Sequence, residues 1–308
     1  MQRTIIVMFC LLLGLSFGAG AAQPAAAPAT AAAPARGALY KLEYAGHTSW
    51  LFGTIHVGTL DFYPLEPRVT QALEQATAIA LEIDPTADPA RSMGVMREYG
   101  LYAAGSGSAM ADIRPEYRPR LERMLKKHGI SPEMVAPMKP WLVVMMITIG
   151  EYRNLGFRPE LGVDLQLART AHGRKLRVVE LESFATQAAL FGRMAPQDQA
   201  RFLEDSLDTF EDPKQGLQPR DLIDAWASAD AAKFDALARE VDEDKTFSGK
   251  FMKQVLLNER NPVLADGIVE MMKKEQHSFA AIGTLHLVGT GNVAELLRQR
   301  GVKVERIY

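Results

Sequence analysis

The sequence predicts an α/β (α+β) fold: a single domain whose mixed central sheet joins N- and C-terminal strands around a large helical insertion. Three observations predict it. Leu39–Tyr44 alternates in the manner of a strand, and Thr48–Ile55 returns as a second strand after a turn at Ala45-Gly46-His47. Strands reappear at the other end of the chain, an apolar one at Phe279–Leu285 and a final one at Val302–Ile307. Between the two ends, residues 88–170 and 196–275 carry apolar positions at helical spacing. Strands at both termini and helices between them call for one sheet with helical walls.

The chain has 308 residues, of which 47% are hydrophobic and 23% charged, with one Cys and six His. Its start reads as an address. Met1-Gln2-Arg3 is basic, Ile5–Phe17 is an apolar run too short to span a bilayer comfortably, and Ala19-Gly20-Ala21 offers a small-residue cleavage site. Residues 1–21 are therefore expected to be a signal peptide, and the mature protein periplasmic or secreted. An uncleaved membrane anchor is the competing reading. Cys10 follows Val7-Met8-Phe9, not the small residues of a lipoprotein site, and would leave with the signal. The mature chain would then have no thiol and no stable membrane anchor. Residues 22–38, with Pro24, Pro28 and Pro34 among alanines, are expected to be a disordered tether, and 39–308 the folded domain.

Residues 39–308 carry 33 basic against 37 acidic groups, a net charge of −4. That balance does not suit binding to phosphate backbones, so no nucleic-acid partner is expected. A single Cys excludes a thiolate zinc site and a disulfide framework, leaving His, Asp and Glu for chemistry.

Within the domain, Pro67 favours a helix start for Glu66–Ala76. Ile79–Ile83 reads as a buried strand ending in acids. Tyr117–His128, closed by Gly129, is an amphipathic helix, and Trp141–Ile149 is a buried helix, not a membrane span. A helix over Leu161–Ala171, with Gly173 at its C-terminal end, precedes a strand at Leu176–Leu181. Ser183 caps the next helix. Asn292–Arg300 is a helix stopped by Gly301.

A short repeat is the most informative feature. Gly53-Thr54-Ile55-His56 follows the second strand, and Gly283-Thr284-Leu285-His286 follows a late one. A Gly at a strand end permits close backbone approach, and strand ends are where α/β sheets collect ligands and catalytic groups. If the two strands are neighbours, His56 and His286 converge; otherwise they are two core histidines bonded to backbone. Acids at other strand ends could complete a site: Glu82 after Ile79-Ala80-Leu81, and Glu180 and Glu182, which strand alternation puts on one face. Two His and a carboxylate form a usual set for a divalent ion such as Zn, Mn or Co, with an open position for water, and a second carboxylate could act as general base. Each Glu also has a structural reading as an ion-pair or cap residue.

His47, His128, His172 and His277 fall in a turn, at helix ends or beside a charged run, and read as structural. Gly289-Thr290-Gly291-Asn292 reads as a tight turn opening a helix, with anion cradling the alternative. Met145-Met146 and Met271-Met272 suit helix cores.

At these residues the chain resembles the TraB/GumN family, which is related to the Tiki metalloproteases. The resemblance covers nearly all of 39–308. It rests on the Leu39–His56 hairpin, the two Gly-x-x-His motifs, Leu81-Glu82, Leu161-Gly162-Val163-Asp164, Val178-Val179-Glu180-Leu181-Glu182, Gln187, Glu259-Arg260-Asn261 and the closing Gly283–His286 to Ile307 tail. It implies a metal-dependent, peptidase-like site. By position, His56, Glu82 and His286 would hold the ion, Glu182 would activate water, and Arg260 would steady negative charge or bind a carboxylate end. Glu180 stands where many relatives have a small residue, which leaves the middle acid between Glu180 and Glu182. Arg260 has a second reading as a bridge to Asp164. The expected function is a periplasmic metal-dependent hydrolase of peptides or a small-molecule substrate. The alternatives are a metal-independent esterase-like hydrolase and a non-enzymatic binding protein for peptide or envelope polysaccharide.

Overall fold

The computed structural model describes residues 33–212 and 218–308. The expected signal peptide, and all of the expected tether except its last six residues, lie outside them.

The sheet begins with β1 (Leu39–Tyr44) and β2 (His47–Thr54), paired antiparallel from Leu39↔Phe52 to Tyr44↔His47. Ala45 and Gly46, at φ of 51° and 84°, make the two-residue connection whose twist matches that of the strands. β3 (Ala78–Leu81), β4 (Arg177–Glu180), β5 (His277–Gly283) and β6 (Lys303–Arg306) complete it. The order is β4-β3-β5-β2-β1-β6. β4, β3, β5 and β2 run parallel to one another, while β1 is antiparallel to both its neighbours. β3 is buried throughout, and β5 from Ser278 onward, as central parallel strands require. The expected mixed sheet built from both chain ends is therefore present.

Several expected boundaries shift. The Phe279–Leu285 strand begins at His277 and ends at Gly283, where Thr284–Leu287 becomes a 3₁₀ turn. The helix expected over Leu161–Ala171 runs Val163–Gly173, so Gly173 stands at its C-terminal end as expected, and the left-handed residue that follows is Lys175, at φ 57°. Met124 and Leu125 contribute the carbonyls that close the preceding Arg118–Lys127 helix at His128, and Gly129 follows at φ 63° as expected.

Helices cover the sheet and build the insertion. Asn261–Lys274 packs on β1, β2 and β5; Pro67–Gln75 packs on β5; Val163–Gly173 packs on β3 and β4. In the insertion, Pro140–Asn154 is buried almost all round and packs on Pro196–Glu211 and Pro219–Ser228. Trp141 stacks on Phe191 with centroids 4.6 Å apart. Burial of this kind explains an apolar helix of ordinary length. Among the described residues no helix is long and apolar enough to cross a membrane.

Candidate functional site

The parallel pairing of β2 with β5 brings the two motifs together. Thr54 is level with Gly283, so the copies are staggered by one residue and His56 and His286 both lie just beyond the paired region. On the other side of β5, Leu81 is level with Ala281, which sets Glu82 level with Ile282 and within side-chain reach of Gly283. The β3–β4 pairing continues past the strands through Leu181 N–H to Leu81 O (2.8 Å) and Glu182 N–H to Glu82 O (2.9 Å). Four strand ends thus deliver His56, His286, Glu82 and Glu182 to one place.

Gly283 is the centre of this cluster. Its N–H donates to Glu82 Oε1 at 2.6 Å. A Cβ on Gly283 would stand 3.1 Å from Glu82 Oε1, 3.5 Å from His56 Nε2 and 3.8 Å from His286 Cδ2. Glycine therefore leaves open the space that the two imidazoles and the carboxylate surround. Glu82 Oε1 to His286 Nε2 is 3.8 Å.

Arg260 closes the far side. Its Nη2 donates to Glu82 Oε2 at 2.6 Å and to Glu182 Oε2 at 2.5 Å, and its Nε reaches both Glu182 oxygens at 3.0 Å. Gln187 Nε2 donates to Glu182 Oε2 at 2.9 Å. The Arg260–Asp164 bridge does not form. Asp164 lies instead beside His56, with Oδ2 3.1 Å from Nδ1. Glu180 leaves the cluster as well: β4 ends there, and its carboxylate accepts the Asp84 N–H at 2.9 Å. Strand alternation does not carry through to Glu182, so the two acids part.

Burial sharpens the charges. Arg260, Glu82 and His286 are 3%, 5% and 0% exposed. Burial opposes the charged form of Glu82, but Arg260, and then the two histidines, hold its carboxyl down at about 2. Burial depresses His286 to about 3, with Arg260 and His56 adding to the effect against Glu82, so its imidazole is neutral at ordinary pH. Burial also opposes a charged His56, but Asp164 beside it outweighs that and raises its pKa. Arg260 is itself raised, its two carboxylates overcoming burial.

The local scaffold is specific. Val163 N–H donates to Ile55 O at 2.8 Å, and Tyr63 OH donates to Leu161 O at 2.8 Å. Backbone bonds between Gly58 and Arg158 tie the same two segments. These contacts lay the start of the Val163–Gly173 helix against the first motif and bring Asp164 to His56. On the second motif, Asn261 Oδ1 lies 2.5 Å from His286 Nδ1. A wide π-helical turn over Met252–Asn258 leads directly into Arg260 and Asn261. Such turns recur at functional sites because they re-aim the residues that follow. Sequence reading assigned no role to Asn261 and gave Asp164 the wrong partner. The Arg-Asn pair and the Gly-Val-Asp run were visible in the sequence, but their partners were not.

Three of the four remaining histidines are held elsewhere. His47 Nδ1 lies 3.0 Å from Glu275 O, His128 Nε2 lies 3.0 Å from Glu151 Oε1, and His172 Nε2 lies 2.7 Å from Asp84 Oδ2.

The donor set can be tested for a divalent ion. Bonds of about 2.1 Å to a tetrahedral ion put two donor atoms about 3.4 Å apart. The 3.8 Å between Glu82 Oε1 and His286 Nε2 is close to that spacing. Among the described residues no three His, Cys, Asp or Glu side chains are already closed around a common point, so the donors would have to draw together. A neutral His286, an ionised Glu82 and the space left by Gly283 suit a cation in chemistry.

The fold and site define a class: an α/β protein that sets two strand-end Gly-x-x-His motifs around one buried Glu–Arg pair. A family model for the TraB/PrgY/gumN family matches residues 38–306, and the chain belongs to that family. Relatives include the uncharacterized protein YbaP of Shigella flexneri, 27% identical over 250 residues, covering 81% of this chain and 88% of that protein. YbaP of Escherichia coli (strain K12) is 27% identical over 248 residues, covering 80% and 87% respectively. No solved structure matches the chain.

Proposed function

We propose that the protein is a metal-dependent hydrolase acting on peptides, with His56, Glu82 and His286 holding a Zn, Mn or Co ion. One observation carries the reading: two imidazoles from neighbouring parallel strands and a buried carboxylate surround the space that Gly283 leaves open. An ion held there would supply a lowered pKa for water and polarisation of a carbonyl. Arg260 keeps Glu82 ionised and offers positive charge beside the reacting centre. Glu182, expected as the general base, has both oxygens engaged by Arg260, and Gln187 also donates to it. Its role in this reading is to orient Arg260. Hydrophobic burial of the cluster excludes bulk water and strengthens each electrostatic contact.

The test is metal analysis and peptide turnover of the purified protein beside His56→Ala and His286→Ala. Loss of bound metal and of turnover in both variants is expected. Unchanged metal and turnover in both overturn the reading. Turnover of esters that survives chelation selects the metal-independent alternative, and ligand retention without turnover selects a binding protein. We also infer export to the periplasm, supported by the basic, apolar and small-residue order of residues 1–21. A mature N-terminus at Ala22, read by mass spectrometry of the exported protein, checks it.

A further inference from the structure

We infer that Asp164 and an Asn261–Gly291 relay lock both motif histidines in the same tautomer, with the proton on Nδ1 and the Nε2 lone pair turned toward the Glu82 side. Both are positioning residues: they act through the imidazoles and not on a substrate.

The argument at His286 is a chain of fixed polarities. Gly291 O is a backbone carbonyl and can only accept. Asn261 Nδ2 donates to it at 2.9 Å, which settles which end of the amide is which. Asn261 Oδ1 must then be the atom facing His286 Nδ1, at 2.5 Å. An amide oxygen only accepts, so His286 Nδ1 carries the proton. Its Nε2, on the opposite edge of the ring, faces Glu82 Oε1 at 3.8 Å.

His56 reaches the same state by a different group. Asp164 Oδ2, a carboxylate oxygen with no proton to give, lies 3.1 Å from His56 Nδ1 as its ion-pair partner, so it favours the ring with the proton on Nδ1. Nε2 of His56 then points to the space at Gly283, where a Cβ would lie 3.5 Å from it. Asp164 is itself set by backbone, because Val163 N–H is bound to Ile55 O, one residue before His56. Gly162 makes the approach possible: a Cβ there would stand 2.6 Å from His56 O. The glycines and backbone bonds around both motifs thus serve one end, which is to fix where two protons sit. Outer partners of this kind fix ring orientation and tautomer in sites where imidazole nitrogen is a ligand.

The inference deepens the metal-site reading, but it can fail separately, since tautomers are read in metal-free protein. The experiment is long-range ¹H–¹⁵N correlation on the ¹⁵N-labelled mature chain at alkaline pH, above the raised pKa of His56, with chelator present. His56 and His286 are assigned by His56→Gln and His286→Gln. Both are expected to show a protonated Nδ1 and an unprotonated Nε2. Asp164→Ala is expected to release His56 alone toward the Nε2–H form, and Asn261→Ala to release His286 alone. Asp164→Glu is expected to retain the wild-type pattern. Zinc affinity of Asp164→Ala, by titration, is expected to fall about 10- to 100-fold. An Nε2–H tautomer or an imidazolium at either residue in the wild-type protein overturns the inference, and that reading needs no variant to fold. Wild-type tautomers as expected with no zinc binding would support the inference and remove the metal reading.

Discussion

Arg260 donates to Glu82 across 178 residues of sequence, at 2.6 Å between Nη2 and Oε2, with both side chains almost wholly buried. Glu182 shares the same guanidinium nitrogen. Two carboxylates and one guanidinium are thus held out of water together, an arrangement that persists only when the hydrogen bonds are good and every member is kept.

Arg260→Met is expected to destabilise the protein by about 3–5 kcal/mol, because it strands two buried carboxylates. Arg260→Lys keeps the charge but loses the planar fork that reaches both acids, and is expected to fall between. Urea unfolding at neutral pH measures both.

Glu182→Gln separates anchoring from proton transfer. A glutamine oxygen still accepts from Arg260, so turnover is expected to fall less than about 100-fold, whereas loss of a general base typically costs up to about 10⁴-fold. Steady-state kinetics under saturating metal decides between them.

Gly162→Ala is expected to cost more than about 2 kcal/mol, since its Cβ would lie 2.6 Å from His56 O and neither backbone can yield cheaply. Displacing Gly162 also moves Asp164 off His56. Thermal unfolding together with metal titration reads the two effects in one variant.

Trp226 clamps the first motif from the insertion: its Nε1–H donates to Gly53 O at 2.8 Å, and its own carbonyl accepts the Gly37 N–H at 2.6 Å. Trp226→Phe leaves the Gly53 carbonyl buried without that donor. A loss of about 1–3 kcal/mol is expected in denaturant unfolding.

Asp205 offers a pH test away from the site. Burial raises its pKa, with Asp208 and Asp244 adding to the effect against the Ser248 N–H that it accepts. A carboxyl raised on folding favours the folded state below its unfolded pKa, near 4, and that contribution is lost as pH rises through the folded value. Asp205→Asn, whose amide oxygen can still accept from Ser248, is expected to gain stability relative to wild type between pH 4 and pH 7. Unfolding free energies at the two pH values check the sign.

Much of the fold was legible because it is written in local patterns. Alternation located β1, the turn after it located β2, Pro67 and Ser183 marked helix starts, and apolar runs found β3 and β5. The break at Gly283 was not legible. Thr284-Leu285 continues the apolar pattern of β5, and only the packing of the second motif turns the chain there into a 3₁₀ turn. The helix end at Gly173 was legible, but the left-handed residue beyond it was not. The helix keeps its spacing through Gly173, and the left-handed residue is Lys175.

By itself the sequence determined a mixed sheet joining both chain ends, two matching histidine motifs, and the acids and arginine that accompany them. These are properties of periodicity and of short runs, which a linear chain displays directly. Only the tertiary structure decided which groups meet: Glu82 and Glu182 on Arg260, Glu180 at the surface, Asp164 on His56 and Asn261 on His286. The physical reason is that these contacts join segments 25 to 178 residues apart. They depend on strand order, on a one-residue stagger between β2 and β5, and on which buried charge each carboxylate must neutralise.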